Sequence, residues 1–164
     1  MKKIFIILLS VLTFVSSSCS QLNQNEMTVA NNTFGKLAEA IQSKDSAEIQ
    51  KMFSKKSKKE SDFEENLECL LEFIQGNVLS YSAKVHSVPC IYEYGKMKKE
   101  ITSTCVLTTT EKVYYVALKE CVKDDFDKEN EGIVSLYIIE SKQWNDEYLY
   151  TGDGNWISGI NIKK

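Results

Sequence analysis

The hydrophobic period of the chain changes at Gly76, and that change limits the fold more than any other feature. Ahead of it, Phe63, Leu67, Leu70, Leu71 and Ile74 recur at helical spacing and make the strongest amphipathic pattern in the sequence. From Val78 onward the apolar residues follow the two-residue period of strands, and they are rich in the β-branched and aromatic types that pack on a pleated surface. Helices first and strands afterwards predict an α+β domain. At 164 residues the chain has room for one such domain with a single core.

Two further helices precede the strong one. Phe34, Leu37, Ala38 and Ile41 give a buried stripe over about Thr28 to Ser43, weakened slightly by Gly35. Asp45 stands three residues before Glu48, a capping-box spacing, and Ile49, Met52 and Phe53 supply the apolar face of a short second helix. The basic run Lys55, Lys56, Lys58 and Lys59 closes it, with charge suited to a helix C-terminus and also to anionic headgroups. Ser61 with Glu64 repeats the capping spacing at the third helix, and Gly76 occupies the usual place of a left-handed cap.

The strands are expected at about Val78 to Val88, Ile91 to Tyr94, Glu100 to Thr108, Lys112 to Val122 and Ile133 to Ser141. Tyr94-Gly95 and Thr109 to Glu111 read as turns, and Pro89, which has no N–H to give a ladder, belongs at a bulge or an edge. The centre is Lys112 to Ser141, where two apolar runs flank an acidic loop. Neither face of the strands from Glu100 to Val122 is cleanly polar. The helices are expected to cover one side of the sheet and something else part of the other; a homodimer through that second face is one explanation and strong curvature is another.

The N-terminus reads as an address. Lys2 and Lys3 precede an apolar run from Ile4 to Val15, and Ser16, Ser17 and Ser18 lead directly to Cys19. A basic head, a short apolar core and small residues at the cut site describe an export signal. The stretch resembles a bacterial lipoprotein signal, with Ser16 where Leu is usual, which implies a lipid on Cys19 and a protein anchored in the bacterial cell envelope, facing the periplasm or exterior. The expected organisation is a signal peptide at 1–18, a tether at 19–27 and one domain at 28–164. Loss of Lys2 and Lys3 makes the net charge of −3 two units more negative, which argues against nucleic acid. The 20 basic residues are all lysine, so no guanidinium fork is present for phosphate or carboxylate. Cys69, Cys90, Cys105 and Cys121 allow up to two disulfides in an exported protein, or are buried small hydrophobes, the reading favoured here. No pair has zinc-ribbon spacing.

Three helices followed by a long antiparallel sheet is the element order of the nuclear-transport-factor-2-like (cystatin-like) cone. The phrase Ile41-Gln42-Ser43-Lys44-Asp45, leading to Met52-Phe53-Ser54, is similar to the helix-to-helix step of that fold. The C-terminal half resembles a family of bacterial lipoprotein domains of unknown function through Tyr94-Gly95-Lys96, Asp124-Asp125, Asn130-Glu131-Gly132, Ser135 to Ile139 and Ser158 to Ile162. The resemblance implies three helices packed on a curved antiparallel sheet, closing one side of a cavity. Its motifs are turns and strand cores, with no chemistry to carry over.

Candidate sites are few. The loop of Asp124, Asp125, Asp127, Glu129 and Glu131 has the alternating oxygens of a calcium loop, but counted from Asp127 the twelfth residue is Ile138 where an EF-hand needs Glu. The loop then reads as a solvated hairpin connection, with Asp125 and Asp127 as partner contacts. His86, the single histidine, lies in the first long strand without metal-ligand spacing around it. Tyr81, Tyr115, Tyr137 and Asp153 are the candidate cavity contacts, and the Gly152-Asp153-Gly154 turn lets Trp156 and Ile157 fold back onto the sheet. With no catalytic residues, metal or cofactor assigned, the leading expectation is a non-enzymatic domain that binds a small molecule or a protein. The alternatives are an exported immunity or inhibitor protein against a toxin and a small cavity-based hydratase or isomerase.

Overall fold

The computed structural model describes residues 25–143 and 156–163. Helix α1, described over 25–42, buries Ala30, Phe34, Leu37, Ala38 and Ile41. It is already helical at residues 25–27, ahead of Thr28. A turn with Lys44 at φ +55° leads to α2 (Ser46–Met52). The Asp45 carboxylate caps α2 by accepting from the Glu48 N–H at 2.9 Å, as the spacing predicts. Helix α3 (Phe63–Phe73) departs from expectation: its N-cap is Asp62 and no side chain caps it. The Phe63 N–H already donates to the Glu60 carbonyl through the preceding 3₁₀ turn, and Asp62 instead accepts from the Asn66 amide, so the Ser61 hydroxyl is not used as the cap.

Six strands follow: β1 (Val78–Ser87), β2 (Cys90–Glu93), β3 (Lys96–Thr109), β4 (Val113–Asp124), β5 (Gly132–Glu140) and β6 (Gly159–Lys163). They form one open sheet in the order β1-β3-β4-β5-β6, with β2 lying on the same edge of β3 as β1. Pro89 sits at the break between β1 and β2, where its missing N–H costs no ladder bond. The strands expected from the period are all present, but the sheet is mixed: β6, which the alternation does not reveal, pairs parallel to β5. Three helices on one side of a curved, mostly antiparallel sheet are consistent with the nuclear-transport-factor-2-like α+β cone.

Register decides which side chains meet the helices, because directly opposed residues share a face. Cys105 opposes Val116, which opposes Ile138, and Leu118 opposes Leu136, which runs beside Ile160. These residues form one buried cluster with Phe34, Leu37, Ile49, Phe53, Phe63, Leu67 and Leu70 of the helical layer. Phe53 and Phe63 meet edge to face at 5.0 Å. The layer in which the resemblance placed a cavity is therefore occupied by large side chains. The Tyr114 hydroxyl, wholly buried, donates to the Phe73 carbonyl and accepts from the Gln75 N–H, which ties the end of α3 to β4.

The start of β5 is held just as closely. The Ser54 N–H donates to the Ile133 carbonyl at 2.9 Å, and Phe53 bridges Ile133 in parallel. Gly132, at φ +114°, lets this happen: a Cβ there would stand 2.9 Å from both the Met52 carbonyl oxygen and the Ser54 nitrogen. Only glycine fits both the backbone angle and the contact.

Candidate functional site

The face of the sheet turned away from the helices carries the alternate residues of each strand. From β1 come Ser82, Lys84 and His86, from β3 Thr104 and Val106, from β4 Tyr115 and Ala117, from β5 Tyr137 and Ile139, and from β6 Lys163. Together they line a groove of about 320 Å³. Crossing from β1 to β6 takes four interstrand steps of about 4.8 Å, so the lining spans roughly 19 Å. Its floor is apolar, made by Val106, Ala117, Ile139 and the two tyrosine rings, and Lys84 of β1 and Lys163 of β6 line its two sides. Apolar walls with a few convergent polar groups are the usual composition of a small-molecule site.

Local contacts fix the polar side chains. His86 Nε2 and Thr104 Oγ1 are 2.7 Å apart. Burial, aided by the nearby Lys84 charge, pulls the His86 pKa below its ordinary value, so the ring is neutral at neutral pH. The Tyr137 hydroxyl accepts from the Ile157 N–H at 2.8 Å, its ring meets Trp156 edge to face at 5.6 Å, and the Lys163 ammonium lies 6.0 Å from the ring centroid. Trp156 and Ile157 thus fold back onto the sheet, on its open face.

The expected site residues separate. Tyr115 and Tyr137 share the groove, whereas Tyr81 lies on the helix side opposite Leu107, with its hydroxyl 2.9 Å from where a Cβ of Gly35 would stand. Asp125 and Asp127 lie far from the groove lining in the β4–β5 connection. Cys19 and Asp153 fall outside the described residues. The connection is organised by its first carboxylate: Asp124, buried, accepts from the Phe126 and Asp127 N–H groups at 2.9 Å and from the Asn130 amide at 2.8 Å. Burial pushes its pKa up, but these three donors together outweigh that and hold it below the usual carboxylate value. Lys56 pairs with Asp127, Lys59 with Glu129, and Lys128 with Asp125 and Glu131. The basic run after α2 is thus the counterpart of the acidic loop.

One carboxylate escaped the sequence reading. Glu120 opposes Ile101 and Ile133 and receives the Thr33 hydroxyl of α1 at 2.9 Å. Burial raises its pKa, against the opposing effects of Thr33 and Lys36. Nothing in a strand alternation distinguishes such a residue from a surface glutamate; only the seat of α1 does.

Among the described residues, no group of three or more His, Cys, Asp or Glu side chains is placed to hold a metal, and no helix is long and apolar enough to cross a membrane. Cys69, Cys90, Cys105 and Cys121 stand as thiols. Burial raises the thiols of Cys105 and Cys121 to about 11, which leaves both unreactive at neutral pH.

The fold and groove define a small α+β domain without a metal cluster among its described residues. Residues 36–141 match the family model described as "Domain of unknown function (DUF5104)", and the chain belongs to that family. A comparison with curated proteins finds no match.

Proposed function

We propose that the chain is a lipoprotein of the bacterial cell envelope, anchored by a lipid on Cys19, whose domain is a non-enzymatic binder of a small amphipathic anion. The observation that carries the binding reading is the open-face groove, with its apolar floor flanked by Lys84 of β1 and Lys163 of β6. An apolar body on Val106, Ala117 and Ile139 with an acidic end toward either lysine satisfies both features. The anchoring reading rests on the leader sequence ahead of Cys19.

Titration with 1-anilinonaphthalene-8-sulfonate, an apolar anion of suitable size, tests the groove. Saturable binding of one probe per chain is expected, reduced about tenfold by Ala117→Phe, which fills the floor, and by Val106→Trp at a partly exposed site. Unchanged binding in both folded variants would refute the site. Sedimentation of the unliganded protein as a dimer, abolished by the same variants, would mean that the groove is covered by a second copy instead. For the anchor, Cys19→Ala is expected to move the protein into the soluble fraction.

An exported immunity or inhibitor protein is the second reading, supported by the acidic β4–β5 connection. It takes second place because Lys56, Lys59, Lys123 and Lys128 neutralise that connection and leave little net charge to attract a basic toxin. A hydratase or isomerase is less well supported still, since the helix-side layer is filled by Phe34, Phe53 and Phe63.

A further inference from the structure

We propose that the β2–β3 hairpin is a second membrane contact, an aromatic wedge entering the interfacial layer of the bilayer that holds Cys19. The membrane assignment rests on the anchoring reading above. The wedge itself rests on four side chains. Tyr94 at the hairpin tip is fully exposed, Tyr92 is 71% exposed, Ile91 is 50% exposed, and Phe126 beside the hairpin is 46% exposed. No other end of the described molecule gathers exposed aromatic residues in this way. Amphipathic rings of this kind partition to the headgroup level of a bilayer.

The position of the N-terminus supplies the partner. The Glu26 carboxylate, in the first described turn of α1, meets the Lys99 ammonium at 2.5 Å. Lys99 opposes Cys90, and Lys96, three residues or about 10 Å further along β3, adjoins the turn of Tyr94 and Gly95. The six residues from Cys19 to Asn25 reach at most about 22 Å. A lipid on Cys19 therefore holds the bilayer at the end of the molecule where the hairpin projects, with the Leu79 end of the sheet pointing away.

The charges around the hairpin decide the kind of lipid contact. Lys98 pairs with Glu100, Lys99 with Glu26 and Lys123 with Asp125, while Lys96 lies 5.7 Å from the Phe126 ring centroid. With these lysines engaged, attraction to anionic headgroups contributes little, and ring insertion into the interface is the driving term. Contact is then expected on zwitterionic bilayers as well as acidic ones, and to survive added salt. The tip conformation agrees. Tyr94 has φ +50°, a left-handed angle for which Asn or Gly would be the better choice, so the aromatic is held at some cost to the turn.

The experiment uses full-length protein purified from membranes and reconstituted into phosphatidylcholine vesicles containing dibrominated lipid. Tyr94→Trp adds a reporter at the tip and Leu79→Trp adds one at the far end, each read against the unsubstituted protein with its native tryptophans. The added Tyr94→Trp emission should be quenched and blue-shifted, with or without phosphatidylglycerol and salt, while the Leu79→Trp emission should be neither. No quenching at the tip, or equal quenching at both ends, would overturn the wedge. Intact-mass measurement of the same sample reads the Cys19 lipid separately. If that lipid is missing and added vesicles still quench the tip, the wedge stands and the anchor falls. As a variant safe for folding, Tyr92→Ser with Tyr94→Asn keeps the turn and should weaken vesicle binding of unlipidated protein about tenfold; undiminished binding would count against the wedge.

Discussion

Gly132 and Gly95 both have positive φ, yet alanine should affect them very differently. At Gly95, φ is +77° and nothing lies within 4 Å of a new Cβ, so Gly95→Ala should cost about 1 kcal/mol for the backbone angle alone. At Gly132 the same angle cost is joined by a clash with backbone atoms of 52–54 that cannot turn aside. Gly132→Ala should therefore cost about 3 kcal/mol or more, read as a lower urea midpoint with an unchanged slope. Asp124 and Glu120 give opposite pH signatures. Asp124 titrates below its unfolded value, so its stabilisation is present above the ordinary aspartate range and is lost as pH falls through the folded value. Asp124→Ala should lower stability at neutral pH by about 2 kcal/mol, for the hydrogen bonds lost, and should flatten the acid limb of the profile. Glu120 titrates above its unfolded value, so its contribution is full at low pH and is lost as pH rises through the folded value. Glu120→Gln should accordingly raise Tm at pH 7 and gain much less near pH 4. A profile with the same gain at both would show that the carboxyl ionises without hindrance.

At the scale of elements, the hairpin turn gives the cleanest test. Tyr94 and Gly95 take positive φ at both central positions, the geometry in which Asn-Gly is preferred. Tyr94→Asn should stabilise the domain by about 0.5–1 kcal/mol in chemical denaturation, even though it removes the exposed ring. The turn itself was readable from Tyr94-Gly95, as were the α2 cap from Asp45 and Glu48 and the three helices from their apolar stripes, because each depends on residues close in sequence. What escaped depends on distant partners. β6 has only five residues after a glycine-rich approach, and it is a strand because β5 offers it a parallel edge. Tyr81 and Tyr115 look alike in the alternation, and they part only when the register puts one under α1 and the other in the groove. Asp124 differs, since its partners Phe126, Asp127 and Asn130 are close in sequence, but nothing in a run of acidic loop residues marks which one turns inward to accept from them.

For the whole molecule, the two buried thiols report on whether the layers fold together. Cys105 lies in the cluster under the helices, and Cys121, opposite Glu100, lies on the other face of the sheet near the hairpin end. Both are inert while folded, since each is buried and titrates at about 11. Cys90, exposed on β2, should react with a thiol reagent at the rate of a free cysteine, with half-buried Cys69 slower. Cys105 and Cys121 should react only through opening of the structure. β4 is central to the sheet, and the β3–β4 and β4–β5 ladders reach from under the helices to the Asp124 connection. Opening around Cys121 without loss of the Cys105 layer would break those ladders midway, so a single cooperative unit is expected. Labelling followed by mass mapping should then give one common rate for the two thiols, accelerated in parallel by urea. A faster Cys121 would mean that the hairpin end opens on its own, and that the surface assigned to the bilayer belongs to a separate, less stable unit.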